Sequence, residues 1–325
     1  MTRILSYNIL VGGARRIDQI TQMILAAQPE VVGLVEASDP RVVETLGERL
    51  EMEYRMSGGA QHDPAGGIAV LSRLPIVSSQ VHRSPAFINK PVLEVCVREE
   101  DGGELAIFVT HLSASFATSS RGGDDIRREE VREILRIMEA KRGMPHLLMG
   151  DFNSIAPGDD LKGSRLLRYL IEVDKFYAQR PVEAVGHPHL DFVVPPDLRF
   201  LEPLLLQIPR SHLLSTLFDG ALSLYVARGT IRLLRKAGYV DSFRRASPHA
   251  TGFTCPARMP AGRIDYIMAS PELAERLSTC YVLAEGNGVY GYEASDHLPV
   301  VAEFGEAVGN SGDKQALELV ADTMG

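Results

Sequence analysis

The sequence predicts a layered α/β protein with paired sheets. Short apolar runs, too short and too β-branched for helices, end one after another at an amide, a carboxylate or a histidine. Between them lie stretches with apolar residues at helical spacing, and Gly and Pro punctuate the junctions. A layered fold gathers such strand ends at one edge, where polar side chains from distant parts of the chain can meet.

The elements follow in order. Residues 3–9 alternate apolar and polar side chains, which predicts a first strand with Asn8 at its end and a loop at Gly12-Gly13. Ile17, Ile20, Ile24 and Leu25 share one helical face, and Gln28-Pro29 stops that helix. Residues 31–35, Val-Val-Gly-Leu-Val, predict an interior strand that ends in Glu36. A carboxylate there is costly to bury unless it is paired or binds a metal, while a solvated Glu36 or a cap for the next helix, 40–50, is the plainer reading. Residues 66–76 predict a buried strand entering a proline turn, and 92–97 a further one. Residues 104–110 form another, closed by His111, where a hydrogen-bonded structural histidine is the plainer reading. Residues 113–123 predict a loop over the strand ends, and 124–141 an amphipathic helix with a solvated charged face that includes Arg127 and Arg128.

Residues 147–154, Leu-Leu-Met-Gly-Asp-Phe-Asn-Ser, are the pivotal stretch. An apolar strand that stops at Gly150 delivers Asp151 and Asn153 from one face of an extended segment, and Gly150 lets the backbone approach a ligand. A simple Asp-Asn turn is the competing reading. From 160 to 235 Leu-rich segments broken by prolines predict a helical insertion, with packing onto the core preferred over a lid or an apolar groove. Strands resume at 239–244 and at 263–268, the latter with Asp265 in its midst. Ser270-Pro271 then starts a helix, 280–284 predicts a strand, and Ser295-Asp296-His297 turns into the last one. The predicted organisation is one domain over 1–304 containing the insertion, with a peripheral tail over 305–325 that holds an amphipathic piece at 315–323.

The 325 residues, 45% hydrophobic, suffice for a large core. No run approaches the length of a membrane span and no secretory signal opens the chain, which places the protein in the cytoplasm. Cys96, Cys255 and Cys280 are odd in number and lack Cys-x-x-Cys spacing, so they read as reduced and structural. With 42 acidic against 34 basic residues the net charge is −8, which disfavours tight nonspecific binding of nucleic acid. A carboxylate cluster holding a divalent cation would fit that acidity and admit a phosphate.

Asn8, Glu36, His111, Asp151, Asn153, Asp265, Asp296 and His297 all lie at or beside strand ends. Their oxygen-rich set, with no thiol spacing, suits magnesium or manganese better than zinc. The two histidines supply groups that gain or lose a proton near neutral pH. Together they describe metal-assisted attack of water on phosphorus.

The motifs Ser-Tyr-Asn, Val-Gly-Leu-Val-Glu-Ala, Gly-Ile-Ala-Val-Leu-Ser-Arg, Thr-His-Leu, Gly-Asp-Phe-Asn-Ser, Arg-Ile-Asp-Tyr-Ile and Ser-Asp-His-Leu-Pro-Val occur in this order. The ordered set resembles the endonuclease/exonuclease/phosphatase superfamily, which includes deoxyribonuclease I, abasic-site endonucleases, neutral sphingomyelinases and inositol phosphatases. The resemblance implies an α+β fold, a four-layer α/β/β/α sandwich of the deoxyribonuclease I-like type, with a phosphoesterase site at one end. By the same resemblance Glu36 is the principal metal ligand, with Asn8 and Asp296 near the same ion or a second one. Asp151 and Asn153 match the pair that positions water and phosphate. Asp265 and His297 match a carboxylate–histidine dyad, with His297 as general base or phosphate ligand. His111 matches a second histidine that stabilises the oxyanion or protonates the leaving group, which makes the abasic-site branch a poorer match.

Two departures bear on this. Gly66-Gly67 stands where a glutamate holds the second histidine in deoxyribonuclease I, so no carboxylate is seen to orient His111. The link after the central motif carries roughly 60 extra residues, more than an ordinary connection. It is the expected place for substrate selection. A lipid or small-molecule phosphate ester fits its apolar character. An endonuclease or exonuclease would instead need a basic groove, for which Arg121, Arg127 and Arg128 are the candidates. The competing class is a noncatalytic binding module on the same fold.

Overall fold

The structure, a computed structural model, describes residues 1–58, 66–87, 90–114, 123–177 and 200–306. The loop predicted near 113–123, including Arg121, and the tail piece at 315–323 therefore lie largely or wholly outside the described residues.

Alternation along the strands builds the layers. The strands are β1 (Thr2–Asn8), β2 (Val31–Val35), β3 (Glu53–Met56), β4 (Ile68–Ser72), β5 (Ile76–His82), β6 (Val92–Arg98), β7 (Glu104–His111), β8 (His146–Asp151), β9 (Val240–Asp241), β10 (Asp265–Ala269), β11 (Leu277–Val282), β12 (Glu285–Gly286), β13 (Val289–Tyr290) and β14 (Val300–Phe304). They form one six-stranded sheet in the order β11-β14-β1-β2-β4-β3, a second in the order β5-β6-β7-β8-β10-β9, and a small β12-β13 pair. Ile4, Val31, Val35 and Val70 of the first sheet pack against Val95, Ile107, Val109, Leu147, Met149 and Ile267 of the second. Residues of opposite parity face outward: Leu5, Tyr7, Val32 and Leu34 meet the helices α1 (Ile17–Ala27) and α2 (Pro40–Leu50). On the other side Ala106, Phe108 and Leu148 meet α3 (Asp124–Met138). The result is the four-layer α/β/β/α sandwich.

The insertion supplies α4 (Gly163–Tyr177), α5 (Glu202–Leu205), α6 (His212–Tyr225) and α7 (Gly229–Lys236). Leu167, Tyr169, Leu170, Val173 and Ile208 form a small apolar cluster of its own. Asp219 of α6 accepts from the Ser164 N–H and hydroxyl at 2.7 and 3.1 Å, tying α6 to the start of α4. Ile231 and Leu234 of α7 join the outer core beside α3. Three short helices follow: α8 (Ser242–Ala246), α9 (Pro271–Ala274) and α10 (Gly291–Ala294).

Several local expectations change. The predicted strand over 239–244 stops after Asp241, because that side chain accepts from the Arg244 N–H and caps α8 instead. Asp265 opens β10 rather than sitting within a strand. Arg127 is not on a solvated face: it is 3% exposed and donates to the Ser154 hydroxyl and the Ser113 carbonyl. Gly150 has φ 137°, and a Cβ there would overlap the Thr110 carbonyl oxygen, so its bare backbone serves the neighbouring strand β7 rather than a ligand.

Candidate active site

Sheet register sets the first row of the site. The pairing of β7 with β8 places His111 beside Asp151, and the antiparallel pairing of β8 with β10 places Asp151 beside Asp265. In the other sheet, parallel β1 and β2 end together with Asn8 opposite Val35, so Glu36 follows directly. The sheets meet here, since Asn8 Nδ2 donates to Glu36 Oε1 at 3.1 Å and to Asp151 Oδ2 at 3.2 Å. Asn8 Oδ1 accepts from the Leu10 N–H at 3.0 Å. Its amide is thereby turned with the donor group toward the carboxylates.

Glu36 at φ 59° and Asn153 at φ 46° hold left-handed backbone at the site, as do Leu10 at φ 50° and Val11 at φ 45° beside them. For a residue such as glutamate that conformation costs roughly 1–3 kcal/mol. The Val11 N–H to Glu36 Oε2 at 2.8 Å and the Gly12 N–H to the Glu36 carbonyl at 2.7 Å hold it in place. Asp151 and Asn153 do not share the face of one extended strand. β8 ends at Asp151, and the chain turns so that the Asn153 N–H donates to Asp151 Oδ1 at 2.9 Å. Asn153 Nδ2 donates to the Leu112 carbonyl at 3.0 Å, which fixes the amide beside the carboxylate.

The 295–297 turn brings the remaining groups. Ser295 donates to the Asn8 carbonyl at 2.7 Å, fastening the turn to the end of β1. His297 Nδ1 is 2.9 Å from Asp265 Oδ2, so that carboxylate accepts the Nδ1 proton and orients the ring. The other nitrogen, Nε2, faces Asp151 Oδ2 at 3.8 Å. One ligand-type atom from each of Asp151, Asp265 and His297 lies within 4.8 Å of the others.

Burial governs the charges. It raises the Asp151 carboxyl well above the ordinary carboxylate range, against the opposing pull of His297. Burial, then the like charge of Asp296, also raises Glu36. For His297 burial opposes the charged form, yet Asp265 and then Cys255, Asp296 and Asp151 outweigh it and hold the imidazole well above its usual value. Glu36 and Asp296 are 9% and 8% exposed, and among the described residues no Lys or Arg is hydrogen-bonded to either. Buried, like-charged oxygens in that state fit a hard divalent cation.

Two neighbours escaped the sequence reading. Lys90 Nζ lies 2.9 Å from His111 Nε2. Nε2 therefore accepts from the ammonium, and an imidazole accepting there is neutral. His111 Nε2 also lies 3.6 Å from Asp151 Oδ2, beyond hydrogen-bond distance and on a nitrogen that already accepts, so Asp151 does not replace the orienting carboxylate missing at Gly66-Gly67. Lys90 gave no motif, and only the register of β6 on β7, Leu93 opposite Val109, brings it to the end of β7. Cys255, read as merely structural, sits beside His297, and burial pushes its thiol up to about 11.

A family model described as Endonuclease/Exonuclease/phosphatase family matches residues 5–297. The chain belongs to that family. It is a divalent-metal-dependent phosphoesterase, a hydrolase of ester bonds. Solved structures share the family fold. An AP endonuclease from Archaeoglobus fulgidus aligns at TM-score 0.59 and 18% identity, over 94% of this chain and 99% of that one. The 3' phosphatase NExo from Neisseria, bound to product DNA hairpin, aligns at 0.57 and 16%, over 94% and 100%. An endonuclease/exonuclease/phosphatase from Beutenbergia cavernae aligns at 0.56 and 19%, over 94% and 72%. No curated protein matches the sequence. No helix among the described residues is long and apolar enough to cross a membrane.

Proposed function

We propose that this chain hydrolyses small-molecule or lipid phosphate esters, mono- or diesters, with magnesium or manganese as its metal. The observation that carries the reading is the meeting of Asn8, Glu36, Asp151, Asp265 and His297 through direct contacts at one sandwich end. A single catalytic domain over 1–304 encloses the site, and a cytoplasmic location is consistent with the free thiols of Cys96, Cys255 and Cys280.

Glu36 and Asp296 would hold the ion, with Asn8 bridging Glu36 and Asp151. Bound there, the metal supplies Lewis-acid charge to a phosphoryl oxygen and makes a bound water more acidic. The protein's own groups do the rest. Asp151, raised toward neutrality, is placed to take the proton of the attacking water and to hold that water in line. Asn153 fixes the loop and presents its amide beside the phosphate. His297, held charged by Asp265, donates from Nε2 to a phosphate oxygen. Lys90 and His111 face the same carboxylate from the other side. Because His111 Nε2 already accepts, Lys90 is the better-placed cation for the developing negative charge and the leaving oxygen.

Hydrolysis of an aryl phosphomonoester and an aryl phosphodiester with magnesium or manganese tests the assignment. Activity should vanish with chelator and in Asp151→Ala, and turnover that survives both would sink it. A nuclease reading draws on two of the similar structures, one an AP endonuclease and one bound to a DNA hairpin. Against it stand the net charge of −8 and the burial of Arg127. Release of phosphate from a DNA hairpin with a 3'-phosphate at rates above the aryl esters would favour it.

A further inference from the structure

A cleft of about 220 Å³ opens directly beside the catalytic cluster, with Ser295 and Asp296 in its lining. One wall is a single face of insertion helix α4: Tyr169, Glu172, Val173 and Phe176 follow each other at i, i+3, i+4 and i+7. Arg258 and Tyr292 complete the lining. These belong to a ladder of flat groups. Tyr290 and Tyr292 stack with ring centroids 5.5 Å apart and 7° between planes, and the Arg258 guanidinium lies 5.9 Å from the Tyr292 ring. Among the described residues the cleft lining carries one cation, Arg258, balanced by the carboxylate of Glu172, rather than the basic row that a nucleic-acid backbone requires.

We propose that this cleft is the subsite for the organic group of the substrate, and that the group it takes is a planar aromatic ring on a small phosphate ester. The proposal rests on the phosphoesterase reading and names its substrate class. A phosphate held by His297 and the ion that Asp296 would bind can carry one substituent straight into the cleft, because Asp296 also lines that cleft. Tyrosine faces and a guanidinium plane bind flat π-systems by stacking, and Val173 and Phe176 exclude water from the cleft. The extra segment after the central motif thereby acquires a role, since α4 completes a pocket that the core sandwich alone leaves open on one side. An aryl ester and a mononucleotide share the ring chemistry and are separated by the test.

The experiment compares 2-naphthylmethyl phosphate, a purine 5'-mononucleotide, decyl phosphate and propyl phosphate as substrates with magnesium, all four having unactivated alkoxide leaving groups. Wild type, Tyr292→Ala and Phe176→Ser are assayed in parallel, both replaced side chains being about half exposed at 46% and 51%. The expected result is a kcat/KM for one ring-bearing ester above propyl phosphate. That ratio should fall roughly tenfold in each variant, as for loss of one stacked aromatic face, and the fall should lie in KM. Whichever ring ester leads, naphthylmethyl or nucleotide, identifies the source of the ring. A preference for decyl phosphate, or a ratio unchanged in both variants, overturns the subsite. Binding of the nonhydrolysable naphthylmethyl phosphonate, measured by calorimetry on the same proteins, keeps the two readings apart. If no ester turns over, the monoester part of the proposed function fails. The subsite then stands only if the phosphonate binds wild type and loses affinity in the variants.

Discussion

Two clusters of buried carboxylates sit close together in this protein, and they are solved in opposite ways. Asp159 and Asp241 enclose Arg263, which is 1% exposed. Its guanidinium donates to Asp241 Oδ1 and Oδ2 at 2.8 and 2.7 Å and to Asp159 Oδ2 at 2.8 Å. Arg244 lies 2.9 Å from Asp159, and Arg235 donates to Asp241 at 2.9 Å. Burial works to raise the Asp241 carboxyl, but Arg263 and then Arg235 and the Arg244 N–H outweigh it and hold it below the usual range. Two residues along from Arg263, Asp265 joins the other cluster, where burial raises Glu36 and Asp151 instead. A carboxylate cluster with its own guanidinium is structural. One arranged around like charges is prepared for a cation and a phosphate from outside.

The difference can be broken from either side. Asp151→Asn should lower kcat/KM by about 10³–10⁴-fold, the upper part of the range for a positioned acid–base group. The same change should not reduce stability to denaturant in chelator, because it removes a charge that burial disfavours. A stability loss comparable with the activity loss would move Asp151 into the structural class. Arg263→Met has the reverse signature: about 3–5 kcal/mol of stability lost, since two carboxylates are left buried around an apolar side chain. The loss is read from the urea midpoint. A near-neutral result would mean that Asp159 and Asp241 find water or other cations as readily as Arg263.

The two clusters were unequally legible. Glu36, His111 and Asp151 each end an apolar run, and a polar residue at that position stands out against its own strand. Residues placed by sheet register or by a turn leave no such mark. Lys90 reaches His111 only through the pairing of β6 with β7, and Cys255 reaches His297 through a loop far away in the chain. Arg127 lies in a helix dense with charge, where one inward-facing arginine cannot be told from its solvated neighbours. Asp241 follows a β-favouring Tyr-Val pair, and its capping of α8 overrode that local preference. The insertion was readable as helical from its leucines. That one α4 face meets Asp296 depends on tertiary placement, which no periodicity encodes.

Metal binding sharpens the contrast at intermediate magnitude. A divalent ion at 100 to 1,000 times its dissociation constant should stabilise the fold by about 2.7–4.1 kcal/mol. In Glu36→Gln the stabilisation should largely disappear, while in Asp241→Asn it should survive intact. Thermal melts across a magnesium titration measure both. Equal stabilisation of wild type and Glu36→Gln would place the ion elsewhere.

The smallest effect concerns acid. Asp241 has a depressed folded-state pKa, so its contribution is present above the unfolded carboxylate value and is lost as pH falls through the folded one. Asp241→Asn should therefore cost about 1.5–3 kcal/mol at pH 7, the range for hydrogen bonds to charged groups. The gap to wild type should narrow as pH drops below about 4, the ordinary carboxylate range. Glu36 and Asp151 have the opposite sign, because their raised values add stability at low pH that is lost on the way to neutral. Subtracting the Asp241→Asn curve from wild type in chelator removes that common background, since both proteins keep the catalytic carboxylates. A difference that stays constant from pH 7 to pH 3 would show that Asp241 holds Arg263 by shape rather than by charge.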